Sequence, residues 1–141
     1  MINLIPGLTS TTAALDAERT RLEVISQNIA NANTTRGLDG KPYQRQQVIF
    51  ETALQRAQTA GSITNSQPQV SRIQKDARPG RAIYQPGHPD ADASGMVVLP
   101  NVNLYEEMAD MIAASRAYEA NVAVFKNGRA MAMQALAIGK H

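Results

Sequence analysis

The sequence predicts a mainly α-helical chain with a small β region: a long helix at each end and a short, irregular, strand-bearing segment between them. Three observations predict it. The last forty residues repeat apolar or small side chains at alternating spacings of four and three. Residues 8–32 repeat the same pattern. The stretch between them is broken by Gly and Pro and carries only short β-branched runs.

In the C-terminal helix the repeat runs through Leu104, Met108, Met111, Ser115, Tyr118, Val122, Phe125, Ala132 and Leu136, with Arg129 the one charge on it. This spacing holds one stripe toward a partner for about five heptads. Pro100 ends any preceding strand ladder, and Asn101 or Asn103 can cap the first turn. Glu106, Glu107 and Asp110 then lie near the positive end of the helix dipole. Gly139 and Lys140 are a stop signal, with a cation at the negative end. Gly128 is the weak link, worth about 1 kcal/mol against Ala in a helix interior.

A lone amphipathic helix cannot bury its own stripe, so a partner is needed, and the N-terminal pattern offers one. Leu8, Thr11, Leu15, Glu18, Leu22, Ile25, Ile29 and Ala32 form it. Thr9, Ser10 or Thr11 can supply its N-cap. Glu18 interrupts this stripe as Arg129 interrupts the other; antiparallel helices would let them pair, and otherwise each reaches solvent at a subunit boundary. The helix closes in Asn28, Ile29, Ala30, Asn31, Ala32 and Asn33. Asn28 and Asn31 share a face. They read either as a fraying end with Asn in the left-handed region or as hydrogen-bonding groups between subunits.

Thr34 to Pro42 is a turn-rich connection with a tight-turn signal at Asp39-Gly40. Tyr43 to Phe50 reads as a strand, 51–68 as an exposed loop, Val70 to Asp76 as a second strand. Arg78-Pro79-Gly80 turns the chain. Ala82 to Gln85 is a short extended piece, and Met96 to Leu99 is the last short strand before Pro100.

Composition narrows the function. Fourteen basic side chains face twelve acidic ones, so no strong field exists for nucleic acid or membrane. With no cysteine there are no disulfides, thiolate zinc sites or Cys nucleophiles. The apolar start lacks a secretory leader's basic region, and no run approaches the ~18 apolar residues of a membrane span. No cofactor fingerprint is present. Asp90, Asp92, Ser94 and Gly95 fit early positions of a calcium loop, but Asn101 stands where a bidentate Glu is required. His88 with Asp90 and Asp92 would be the core of a small metal-dependent hydrolase, and it lacks a second histidine nearby. Arg72, Lys75, Arg78 and Arg81 form a loose basic cluster with only Tyr84 near enough to stack a base. A rigid Pro/Gly loop explains 86–95 without a metal.

Several words of the sequence resemble one family. Asn28-Ile29-Ala30-Asn31-Ala32-Asn33-Thr34-Thr35 resembles the "NxANxxT" signature of axial proteins of the bacterial flagellum. Gly40 to Arg45, Val48 to Phe50, Tyr84 to Asp92 and Gly95 to Val97 are similar to FlgC-type proximal-rod proteins of the flagellar basal body. So are Pro100 to Asn103, Glu107-Met108, Met111 and Ala114 to Asn121. The resemblance covers nearly the whole chain and is weakest at 51–80.

The resemblance implies a structural rod subunit with no enzymatic activity and no cofactor, exported by the flagellar type III apparatus without cleavage. It implies an antiparallel coiled-coil hairpin built from 1–33 and 101–141, with 34–100 as an outer, β-rich layer. Its implied partners are copies of itself, other rod proteins, and junction and export-apparatus proteins. The residues expected at helix packing or subunit contacts are Leu15, Leu22, Ile25, Asn28, Ile29, Asn31, Asn33, Pro100, Asn101, Met108, Met111, Ser115, Tyr118, Asn121, Val122 and Phe125. The competing readings are a soluble helical-hairpin binding module or export adaptor, and the small metal hydrolase.

Overall fold

A computed structural model describes residues 6–52 and 68–138. Two helices dominate: α1 (Pro6–Ala30) and α2 (Leu104–Ile138). Between them lie β1 (Gln46–Thr52), β2 (Pro68–Lys75), β3 (Arg81–Tyr84) and β4 (Met96–Leu99). β1 pairs antiparallel with β2, and β3 with β4, as two separate two-stranded ribbons. The first ribbon slips register between Ile49 and Phe50, leaving Ser71 as the extra residue of a bulge. The expected exposed loop at 51–68 and the helix stop at Gly139-Lys140 fall largely or wholly outside the described residues.

α1 begins earlier than its Thr and Ser residues suggest. Pro6 occupies the first turn, where its missing N–H is no loss. Thr11 and Thr12, inside the helix, donate back to the carbonyls of Gly7 and Leu8 instead of capping it. At the other end Asn31 donates from Nδ2 to the Gln27 carbonyl at 2.9 Å, closing the last turn. α2 is capped by Asn103: its Oδ1 accepts from the Tyr105 amide at 3.1 Å, and its Nδ2 donates to Glu106 Oε1 at 3.1 Å. Asn103→Ala should cost about 1 kcal/mol and leave the fold otherwise intact, read as a lowered denaturation midpoint at unchanged m-value.

The helices touch along their length in opposite directions. Asn28 meets Glu107 and Arg21 meets Asp110, while Leu8 lies against Gly128 at the far end. A Cβ at Gly128 would come within 3.1 Å of the Leu8 side chain. The missing side chain therefore makes room for Leu8. In the same alignment Arg129 is exposed beside the start of α1, about ten residues from the level of Glu18. Glu18 instead has Arg21 as its nearest cation, at 3.8 Å.

The stripe that faces α1 keeps Met111, Tyr118, Phe125 and Ala132 of the expected one and differs at the turns between them. Glu107 and Ala114 are buried, and Met111, Tyr118, Asn121, Phe125, Gly128 and Ala132 continue the row half-buried. Ser115 and Val122 flank it, whereas Leu104 and Met108 stand 45% and 51% exposed. Every seventh residue of the inner row is Glu107, Ala114, Asn121 or Gly128. Small and polar side chains at these turns let α1 approach closely, with Met111, Tyr118 and Phe125 packed between them.

The apolar core is thin. Among the described residues Ala17, Val24, Ile25, Val97 and Ala114 are its fully buried members. A fully buried Val or Ile contributes roughly 1.5–3 kcal/mol, while each ordered backbone residue costs about 1–2 kcal/mol. Apolar burial within one chain is therefore a weak hold on helices of 25 and 35 residues.

Candidate functional site

The largest buried polar groups lie where α1 ends, α2 begins and the first ribbon starts. Asn28 is 1% exposed and Glu107 is fully buried. Asn28 uses its whole amide: Nδ2 donates to the Gln46 carbonyl at 2.8 Å and to Glu107 Oε2 at 2.9 Å. Its Oδ1 accepts from Tyr43 Oη and from the Gln46 amide, both at 2.9 Å. Two donors and two acceptances saturate an asparagine side chain. Burial, and then the nearby Glu107 charge, push the Tyr43 phenol above its usual range, so it stays a donor.

Glu107 takes its second partner from Arg45, whose Nε donates to Oε1 at 2.5 Å. The same guanidinium reaches Asp110 at 3.4 Å and Asp76 at 3.9 Å. The Arg45 backbone is fixed as well: its amide donates to Asn101 Oδ1 at 2.7 Å, and its carbonyl accepts from the Asp76 amide at 2.8 Å. Asn101 then donates to the Arg78 carbonyl at 2.9 Å and the Asp76 carbonyl at 3.2 Å. Both helices, the first ribbon and the turn after β2 are thus joined through one arginine.

Asp76 has a carboxyl held below the usual range, first by side-chain hydrogen bonds from Arg78, then by the Arg78 amide, with smaller help from the Arg45 charge. A carboxyl lowered in the folded state contributes stability above its unfolded pKa of about 3.9 and loses it as pH falls through the lower, folded value. Acid titration should therefore leave stability nearly flat above about pH 5 and weaken it below about pH 4. Asp76→Asn should shrink that acid-limb loss in equilibrium denaturation.

The second turn region is held by carboxylates too. Asp90 accepts from Thr35 Oγ1 at 2.8 Å and pairs with Arg36 at 3.5 Å, tying 86–95 to the connection after α1. Asp92 Oδ1 accepts from the Ser94 hydroxyl, the Ser94 amide and the Met96 amide at 2.7–2.9 Å. Those bonds, the Ser94 hydroxyl first, draw its carboxyl below the ordinary range. Gly95, at φ 76°, closes the loop in a conformation that favours glycine. Among the described residues no three His, Asp or Glu side chains gather as a metal site.

Of the residues singled out from sequence, Ile25, Asn28 and Pro100 are buried; Leu15, Leu22, Ile29, Asn31 and Asn101 are half-buried. Met111, Ser115, Tyr118, Asn121, Val122 and Phe125 are half-buried along α2, and Asn33 and Met108 are exposed. Asn28 and Asn101 meet in the arginine-centred junction. Asn31 serves its own helix end and accepts from Thr34. Arg45, Glu107, Tyr43 and Asp76 complete the junction, and sequence reasoning gave none of them that role. The available signal was the small-and-polar row at seven-residue steps, with Glu107 at its head.

A second row runs along α2 beside the one that faces α1. Leu104, Met108, Ile112, Ser115, Glu119, Val122, Lys126, Arg129, Met133 and Leu136 recur at spacings of four and three. Ile112, Met133 and Leu136 are exposed, as are Leu104 and Met108. Glu119, Lys126 and Arg129 enter no ion pair among the described residues.

Comparison with known proteins connects these features. A family model described as "Flagella basal body rod protein" matches residues 8–36, and one described as "Flagellar basal body rod FlgEFG protein C-terminal" matches 93–138. The first spans Asn28; the second spans Asn101, Glu107 and the outer row of α2. The flagellar basal-body rod protein FlgC of Borreliella burgdorferi is 43% identical over 97% of this chain and 98% of its own length. That of Yersinia enterocolitica is 41% identical over 91% and 92%, and that of Bacillus subtilis 37% over 95% and 97%. With such identity along almost the full length of both partners, the chain belongs to the FlgC family of flagellar basal-body rod proteins.

Proposed function

We propose that this structural subunit of the flagellar basal-body rod folds α1 and α2 into an antiparallel coiled-coil hairpin and completes its core by assembly. The observation that carries the reading is the outer row of α2, a second heptad stripe with large apolar side chains left in solvent. A stripe of that length on an isolated chain has no partner, and burying it contributes roughly 25 cal/mol per Å² of apolar area. Copies of the same chain and other rod proteins supply the complementary helices. Residues 1–33 and 101–141 form the inner helical part, and 34–100 an outer, β-rich layer.

The division of labour follows from the energetics. The arginine-centred junction sets the angle and register of the two helices at one end. Contacts with neighbours hold the other end. Torque then passes through packed helices and not through the loops. A chain with a thin core and no disulfide is easily held unfolded, which suits passage through the flagellar type III export apparatus before assembly.

The test is Met108→Asp with Ile112→Asp. Neither side chain is buried, so the purified variant should keep a native-like circular dichroism spectrum. Cells carrying it as their only copy should fail to incorporate it into basal bodies and should not swim. Normal incorporation and swimming would remove the outer row from the assembly and with it this reading.

A further inference from the structure

We propose that the Gly37–Lys41 turn is a docking knob, with Leu38 of one copy seated in the groove between α1's end and α2's start on a second copy. The proposal rests on the rod-subunit reading above and gives it a specific contact.

Leu38 is fully exposed. The Gly37 amide donates to the Lys41 carbonyl at 2.8 Å, and the Gly40 amide to the Gly37 carbonyl at 3.0 Å. Asp39 Oδ1 accepts from the Lys41 amide at 3.2 Å, and Gly40 takes φ 73°. A turn closed this fully presents one large apolar side chain at little further ordering cost on binding.

The groove holds about 680 Å³ and is bordered by Pro79, Pro100, Val102 and Tyr105, with Arg78 and Arg81 in its lining. Its lining contains no carboxylate. Arg78 is engaged by Asp76, whereas Arg81 enters no ion pair among the described residues. The knob supplies what this lining lacks: an apolar side chain followed directly by the Asp39 carboxylate. In its own chain Leu38 borders an adjoining groove, which shares Arg78, Pro79, Gly80, Leu99 and Asn101 with the first. In a rod, where each copy passes its contact on to the next, the knob of one copy and the groove of the next pair head-to-tail, and the contact propagates from copy to copy.

The native chain has no cysteine, so introduced ones report cleanly. Basal bodies are isolated from cells whose only copy carries Leu38→Cys with Tyr105→Cys, then oxidised. The expected result is a ladder of dimers, trimers and longer species, with Leu38→Cys or Tyr105→Cys alone giving monomer. Incorporated chain that stays monomeric overturns the pairing and leaves the rod reading standing. Dimers from Leu38→Cys alone, or a cross-link to another rod protein, overturn the assignment of the occupant. Leu38→Asp gives a second arm free of thiol chemistry. It should keep the native circular dichroism spectrum yet enter basal bodies at least tenfold less than native; equal entry overturns the knob. Absence of the native chain from basal bodies would fail the rod reading itself.

Discussion

Arg45→Ala should destabilise the isolated chain by about 3–5 kcal/mol, because it strands Glu107, a fully buried carboxylate, without its cation. The same change removes a guanidinium that also approaches Asp110 and Asp76. In a domain of ordinary marginal stability this is a large fraction of the total. Loss of far-UV ellipticity at 25 °C is the expected readout. The cause can be separated from lost packing by adding Glu107→Gln. A neutral amide no longer needs the arginine, so the double variant should recover a substantial part of the loss. If Arg45→Ala with Glu107→Gln is no more stable than Arg45→Ala alone, the stranded charge is not the cause.

Asn28→Ala should also destabilise the chain strongly. Four hydrogen bonds disappear together, and the Gln46 amide and carbonyl, the Tyr43 hydroxyl and one Glu107 oxygen lose a partner. Each buried group left unsatisfied costs about 1–3 kcal/mol, and partial entry of water places the sum at about 3 kcal/mol or more. Asn28→Asp is the sharper test. It keeps both acceptances at Oδ1 but sets a second carboxylate against Glu107. Two neighbouring carboxylates raise one folded-state pKa, so this variant should gain stability as pH falls toward 5, opposite to the acid limb expected of the native chain. Chemical denaturation at pH 7 and pH 5 reads the difference directly. A variant indifferent to pH across that range would mean that Asn28 and Glu107 do not share one buried site.

The sequence carried the architecture further than the chemistry. Period alone marked both helices, because a heptad repeat is visible without knowing what it packs against. Short β-branched runs between Gly and Pro marked all four strands, with β1 displaced by a few residues toward its C-terminal end. The helix faces were harder. A repeat of apolar or small side chains runs through Met108, Ser115 and Val122. The row actually facing α1 has Glu107, Ala114, Asn121 and Gly128 at those turns. Two stripes lie side by side on α2, and a single chain cannot say which one its own partner takes. Thr9 to Thr11 looked like caps, yet Pro6 had already begun the helix. Asn101 and Asn103 both read as caps; Asn103 capped the helix and Asn101 bridged Arg45 to the turn after β2.

The buried junction was the least legible part. Glu107 reads from sequence as a carboxylate near a helix N-terminus, where solvated acids are common. Its burial depends on Arg45, 62 positions away in the chain, and on Asn28, 79 positions away. No local pattern encodes a contact at that separation. Asp90 and Asp92 illustrate the converse. Their spacing fits the start of a metal loop, but the rigid Pro/Gly loop read from the sequence is the better account: Asp92 accepts from the Ser94 and Met96 amides, and Asp90 holds Thr35 and Arg36.

Hydrogen exchange on the free chain and on assembled rods separates the stability of one chain from that of the assembly, since amide protection maps stability segment by segment. Amides at 24–28, 43–46 and 107–114 should be the best protected in the free chain, anchored by Asn28, Arg45 and Glu107. Amides at 120–138 should exchange quickly in the free chain and become protected only in the rod. Equal protection along the whole of α2 in the free chain would contradict this expectation, because the helix would then stand without neighbours.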